Sequence, residues 1–287
     1  MKKVALPAVF INNVHHVPEI VVHYFANNLF TEKSKIQLSA NLISFVIEGK
    51  KELFHNNYSQ IISDSEFVLA ESGNCLMTET LSVNKKYASL LFFFDNKFII
   101  DFQKKYVDLV AVNNLKSVSK APFVVLKYDK FIRNFVSAVR LLLQSNEGVS
   151  NSILKLKLEE ILLYLVQKYD ASIINFFITQ PTIKQNATLQ NIVESNIFSK
   201  LTLDELAFLS HMSLSTFKRE FIKMYDSPPS RWFQEKRLEK SAQLLVVDKE
   251  RPSDIYLTVG YESLSSFTQS FKHKFGKTPK KYQSEFV

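Results

Sequence analysis

A chain of 287 residues with one cysteine, five glycines and eight prolines is poor in the residues that several function classes require. Cys75 alone cannot form a disulfide framework or a cysteine metal site, and it reads as a small buried hydrophobe. Five scattered glycines leave no glycine-rich loop to cradle a phosphate, and no strand-turn-helix nucleophile motif is present. Nowhere do eighteen apolar residues run together, so no membrane-spanning helix is expected. Lys2-Lys3 opens the chain, but Asn12-Asn13 breaks the apolar stretch that follows too soon for a signal peptide, and a cytoplasmic location is expected. Histidine is equally sparse. His15, His16, His23 and His55 lack the paired spacing of a cupin metal site, and no His or Cys falls between 76 and 210. The expectation is therefore no metal, no cofactor and no enzyme.

What the chain does have is a repeat. Ser213-Leu214-Ser215-Thr216-Phe217 lines up with Ser263-Leu264-Ser265-Ser266-Phe267 fifty residues on. Phe221 then falls on Phe271, Tyr225 on Phe275, Pro229 on Pro279 and Trp232 on Tyr282. Each copy has the layout of a helix-turn-helix. In the first, Thr202 with Glu205 forms a capping box before Leu203, Leu206 and Ala207, a turn falls near His211-Met212, and Ser213 caps the second helix. In the second, Ser253 or Asp254 opens a helix through Leu257, Gly260 sits at the turn, and Ser263 caps the next helix. Phe217, Phe221 and Tyr225, like Phe267, Phe271 and Phe275, mark the buried faces, so polar side chains are left outward. Pro228-Pro229 starts a connecting helix over 230–247, about 27 Å long at 1.5 Å per residue. Such a strut suits two recognition helices about 34 Å apart, one turn of DNA.

Net charge is +8. From Pro181 onward 16 Lys+Arg stand against 12 Asp+Glu, a net of +4, and the remaining +4 lies in the first 180 residues. The local pattern says more, because Lys272, Lys274, Lys277, Lys280 and Lys281 face one acid, Glu285, in the last 25 residues. Beside a recognition helix that cluster points to phosphate contact.

These residues carry a family resemblance. Met212-Ser213-Leu214-Ser215-Thr216-Phe217-Lys218-Arg219-Glu220-Phe221, Arg237-Leu238, Asp254-Ile255, Val259-Gly260-Tyr261 and the run from Phe271 to Pro279 make 201–282 similar to the DNA-binding domain of the AraC/XylS family of bacterial transcription regulators. The resemblance implies that Ser215, Lys218 and Arg219 face base edges in one major groove, and Ser265, Ser266 and Gln269 in the next. Thr216, Lys223, Lys272, Lys280 and Lys281 complete the expected DNA-binding set. Three positions depart from the family pattern: Asp226 stands where Gly is usual, Tyr256 where a small Ala is usual, and Gln269 where Arg is frequent. Gln269 can still read adenine bidentately.

The first half reads as short strands. Asn41 to Glu48, Lys51 to Tyr58, Ser59 to Ile62, Glu66 to Ala70, Cys75 to Glu79 and Tyr87 to Phe94 are short apolar or alternating runs separated by turn residues, which suggests a small antiparallel barrel or sandwich. Helical patterns follow over Asn96 to Tyr106, Lys130 to Gln144 and Asn151 to Tyr169. The order resembles the cupin-like N-terminal domains of the same family, most closely the type III secretion activator branch, through segments such as Leu53-Phe54-His55-Asn56-Asn57 and Lys155-Leu156-Lys157-Leu158-Glu159-Glu160. The fold expected is α+β: a cupin-like antiparallel β-barrel with helices over 1–175, a linker over 176–186, and an all-α domain of two helix-turn-helix units over 187–287. Leu154, Leu158, Ile161 and Leu165 step by 4, 3 and 4 and offer a dimer seam, with intramolecular core as the equal alternative.

The function expected is a sequence-specific DNA-binding regulator, an activator, reading two successive major grooves. Double-stranded DNA is the implied partner. The resemblance adds RNA polymerase, a small-molecule or protein effector, and a second copy of the chain. A small-molecule-binding cupin-type protein or enzyme fused to a DNA-binding module is the alternative, and the absent ligand cluster opposes its enzymatic form.

Overall fold

A computed structural model describes residues 3–11, 18–55, 58–110, 122–145, 148–178 and 189–286. The chain divides into two compact units, Met1–Asn186 and Ala187–Val287.

Among the described residues the first unit contains ten strands: β1 (Lys3–Leu6), β2 (Ile20–Asn27), β3 (Thr31–Leu38), β4 (Asn41–Glu48), β5 (Lys50–His55), β6 (Tyr58–Ser63), β7 (Glu66–Ala70), β8 (Gly73–Thr80), β9 (Tyr87–Phe94) and β10 (Phe123–Lys127). They form two five-stranded sheets, ordered β1-β3-β8-β5-β6 and β10-β7-β4-β9-β2. Every pairing is antiparallel except that of β1 with β3. The α+β layout is the expected one, and of the barrel or sandwich that the strands suggest it is the sandwich. Each sheet ends in its own edge strands, so two sheets pack face to face and no hydrogen-bonded ring closes.

Alternation along the central strands explains the layering. Leu42 and Val46 of β4, with Leu91 and Phe93 of β9, point toward the first sheet and pack on Ile36, Leu38, Leu53 and Cys75. Ile43 and Phe45 of β4, with Leu90, Phe92 and Phe94 of β9, point the other way, into helices. Those helices are α1 (Asn96–Lys105), α3 (Lys130–Leu143), α4 (Asn151–Tyr169) and α5 (Ser172–Ile178), while the short α2 (Val107–Val110) after α1 leaves Val107 and Leu109 exposed. Asp95, Asp129 and Ser150 cap α1, α3 and α4 through their side-chain oxygens.

The α4 leucines take the intramolecular of their two alternatives, and one boundary moves. The proposed seam Leu154, Leu158, Ile161 and Leu165 is buried at 8, 0, 0 and 0% exposure in the unit's own core. The 4-3-4 step marks the stripe that covers the second sheet, while Leu156, at 63% exposure, lies on the open side. The expected linker also begins too early, because Phe176 and Phe177 lie in α5 and are buried, Phe177 in edge contact with Phe94. Residues 179–186 of that linker, and the expected turn at Asn56-Asn57, lie outside the described residues.

Four strands had no sequence signal strong enough to read: β1, β2, β3 and β10. β3 is the instructive one. Its first half, Thr31-Glu32-Lys33-Ser34, is polar, its register shifts between Thr31 and Ser34, and Lys33 sits at φ 46. A bulge therefore hides the period of two.

The second unit is helical: α6 (Leu189–Ser195), α7 (Leu203–Leu209), α8 (Leu214–Tyr225), α9 (Pro229–Val246), α10 (Pro252–Ile255), α11 (Leu264–Phe275) and α12 (Pro279–Phe286). Phe217, Phe221, Phe267 and Phe271 have no exposed surface, each burial contributing about 1.5–3 kcal/mol.

Candidate nucleic-acid interface

The two copies are built alike from their capping residues outward. Thr202 Oγ1 accepts from the Glu205 N–H at 3.2 Å while Glu205 Oε2 accepts from the Thr202 N–H at 2.7 Å, closing the capping box at the start of α7. Ser213 and Ser263 cap α8 and α11, each accepting from the N–H three residues on at 3.2 Å. Asp226 (φ 48) and Gly276 (φ 74) end the same two helices in the left-handed conformation. Pro229 and Pro279 then start α9 and α12, placing Trp232 against Phe221 and Tyr225, and Tyr282 against Phe271 and Phe275.

One difference separates the copies. The N-caps Thr202 and Arg251 are 49 residues apart, as are the left-handed turn residues His211 (φ 57) and Gly260 (φ 84). The matching turn bonds keep that offset: the Met212 N–H donates to Ala207 O, and the Tyr261 N–H to Tyr256 O, both at 2.9 Å. From Ser213 and Ser263 onward the offset is 50. The second turn is therefore one residue longer. The first helix of the second copy is also shorter than expected, ending at Ile255 rather than Leu257, with a turn over 256–260. Tyr256 finds room half-buried against the cluster that includes Leu238, Ile255 and Val259.

The phenylalanine stripes fix what faces outward. On α8, Ser215, Lys218, Arg219 and Lys223 are exposed and Thr216 is half-buried. On α11, Ser265, Ser266, Gln269 and Lys272 are exposed. Not all of these side chains are equally disposable. The Thr216 hydroxyl accepts from Ser213 Oγ at 2.9 Å, and the Ser266 hydroxyl donates to Ser263 O at 3.2 Å, so both also serve the caps. Arg219 Nε contacts Glu220 Oε1 at 3.3 Å in the open, a pair worth little in water.

The lysine cluster divides. Lys274 donates to Glu235 O and Glu239 Oε1 at 3.1 and 3.2 Å, and Lys277 pairs with Glu285. Lys272, Lys280 and Lys281 are exposed and make no ion pair among the described residues. Hydrogen bonds from Lys236 and Lys274 hold the Glu239 carboxyl below its usual range.

The residue that joins the copies is Arg237 of α9. Its Nε donates to Ile197 O at 2.9 Å, Nη2 to Ser199 O at 2.8 Å and Nη1 to Gly260 O at 3.2 Å. One guanidinium thus ties the lead-in to the first copy and the turn of the second to a single helix. In the sequence Arg237 is one of several basic residues along α9. Its partners are backbone carbonyls, which leave no side-chain signature.

Residues 41–176 match the family described as the ExsA N-terminal regulatory domain, and residues 206–285 match a helix-turn-helix domain. The chain is 25% identical over 182 residues to the virulence regulon transcriptional activator VirF of Yersinia enterocolitica, spanning 63% of this chain and 67% of VirF. It is 30% identical over 124 residues to the transcriptional regulator ExsA of Pseudomonas aeruginosa, spanning 43% of this chain and 45% of ExsA. Among solved structures, apo ToxT of Vibrio cholerae aligns with 94% of this chain and 99% of its own, at 16% identity and a TM-score of 0.45.

The paired helix-turn-helix units define a DNA-binding transcription regulator. The order of an ExsA-type N-terminal regulatory domain and a helix-turn-helix domain is that of an AraC-type regulator, and the chain is similar to VirF and ExsA.

Proposed function

We propose that the chain activates transcription in the cytoplasm by binding double-stranded DNA in two successive major grooves, α8 in one and α11 in the next. The observation that supports this most strongly is the pair of twelve-residue helices, each buried by two fully covered phenylalanines and each left with a polar outer face. The eighteen residues of α9 span about 27 Å between them. Base readout falls to Ser215, Lys218 and Arg219 in the first copy and to Ser265, Ser266 and Gln269 in the second, with Lys223, Lys272, Lys280 and Lys281 on phosphates. Thr216 supports the first set through its cap. No catalytic step is assigned, and RNA polymerase is the partner through which an activator acts. A homodimer would have to use a surface other than the buried stripe of α4.

The test is a footprint on a site selected from genomic fragments retained by the purified chain. Two protected segments about 10 base pairs apart, centre to centre, are expected, and inserting about 5 base pairs between them turns one to the opposite face. Undiminished binding after that insertion would overturn the two-groove reading.

A further inference from the structure

The inward face of the first sheet carries two opposite charges. Lys51 of β5 stands directly across from Glu79 of β8, and each residue is 3% exposed. Lys51 Nζ donates to Ser44 Oγ on the facing sheet at 2.8 Å. Glu79 Oε2 accepts from Asn27 Nδ2 at 2.8 Å and from Thr31 Oγ1 at 3.5 Å. A sandwich interior filled for stability alone would place apolar side chains here, since burying two ions costs more hydration than their attraction readily returns. Burial draws the Lys51 ammonium below its usual range and pushes the Glu79 carboxyl above its own.

These groups form the polar floor of a cavity of about 210 Å³ between the sheets. Its walls are apolar, including Leu6, Phe10, Phe25, Ile36, Leu53 and Leu91. Ser89, fully buried, adds a hydroxyl to the lining. Asn27 Oδ1 is buried and accepts no hydrogen bond among the described residues, so the lining holds an acceptor that lacks a donor.

We infer that this cavity is a binding site for a small uncharged amphiphile, with an alkyl or aryl body against the walls and a hydroxyl or primary amide head on the Asn27–Lys51–Glu79 floor. The charge balance selects the head group. A carboxylate head would set a second negative charge beside Glu79, and an ammonium head a second positive charge beside Lys51, leaving one buried ion without its counter-charge in either case. A hydroxyl or amide donates to Asn27 Oδ1 and accepts from its neighbours without disturbing that balance. The inference is independent of the DNA reading, because every group it uses lies in the first unit.

Four eight-carbon probes that differ only in the head, octanol, octanamide, octanoate and octylamine, test it on the full chain by calorimetry and by ligand-dependent Tm. Octanol and octanamide are expected to bind about tenfold or more tightly than the two charged probes. Leu53→Trp, which fills the cavity, should abolish binding. Asn27→Asp, a half-buried position that gains a carboxylate, should shift the preference to octylamine, and it decides the matter if Leu53→Trp does not fold. Tightest binding of octanoate or octylamine to the wild type, no binding of any probe, or an unchanged preference in Asn27→Asp would each overturn the inference.

Discussion

A Cβ on Gly260 would stand 3.0 Å from Cζ of Arg237, and the same guanidinium donates to the Gly260 carbonyl at 3.2 Å. The glycine is required twice, by its φ of 84 and by the close approach of the arginine. Gly260→Ala is expected to lose about 1–2 kcal/mol from the left-handed backbone alone. Displacing Arg237 should also loosen the second copy, so that the footprint shrinks to the first groove. An unchanged Tm and a full footprint would show that Arg237 swings clear at no cost.

Asp226 occupies the matching left-handed position after α8 at φ 48, where Gly276 stands in the second copy. Asp226→Gly should raise stability by about 0.5–1 kcal/mol and leave DNA binding intact. Chemical denaturation measures this directly. A loss of stability would mean that the aspartate makes a contact outweighing its strain.

Arg219→Ala should cost about 1–3 kcal/mol on the selected site and relax specificity at one base pair. Lys280→Ala and Lys281→Ala should weaken every sequence alike and flatten the dependence on salt. Equal losses on specific and random DNA for Arg219→Ala would remove it from base readout.

On α4 the two leucine faces separate cleanly. Leu158→Glu would bury a carboxylate among Phe and Leu side chains and should cost about 3 kcal/mol or more, read as loss of folded protein rather than as a soluble monomer. Leu156→Glu, on the exposed side, should stay within about 0.5 kcal/mol of wild type. Melting curves and light scattering distinguish them.

Asp129 caps α3, accepting from the Ile132 N–H at 2.9 Å, and is also hydrogen-bonded by Tyr164 and Lys168. Burial opposes its charge, but those three donors together hold the carboxyl at about 2. A depressed carboxyl stabilises the folded state fully above its unfolded value of about 3.9 and loses that contribution as pH falls toward 2. Asp129→Asn should therefore be less stable than wild type near neutral pH, and the gap should close between about pH 4 and pH 2.

How far the fold could be read in advance depended on the residues involved. β4, β7, β9 and α4 have the bounds expected from the sequence, because Asn41–Glu48, Glu66–Ala70, Tyr87–Phe94 and Asn151–Tyr169 are dense in apolar side chains and bounded by turn or cap residues. The bulged β3 and the edge strands β1, β2 and β10 lack that contrast. Apolar spacing located the stripe of α4 but could not say what it faced, since a sheet and a twin helix make the same demand. Lys51 and Glu79 were invisible for the opposite reason: charged residues on alternating strands read as the solvent face, and only the register shows them turned inward. In the second unit the repeat announced both copies. The one-residue difference between their turns lay upstream of the matched serines.

That extra residue gives the protein a direction. The two copies run head to tail along one chain, and their turns differ in length, so no rotation exchanges one for the other. A bound molecule would have a front and a back on the duplex, and reversing the order of the two half-sites would present each recognition helix with the other's bases. Whatever lies to one side of the site, a promoter included, is then met by one fixed end of the regulator.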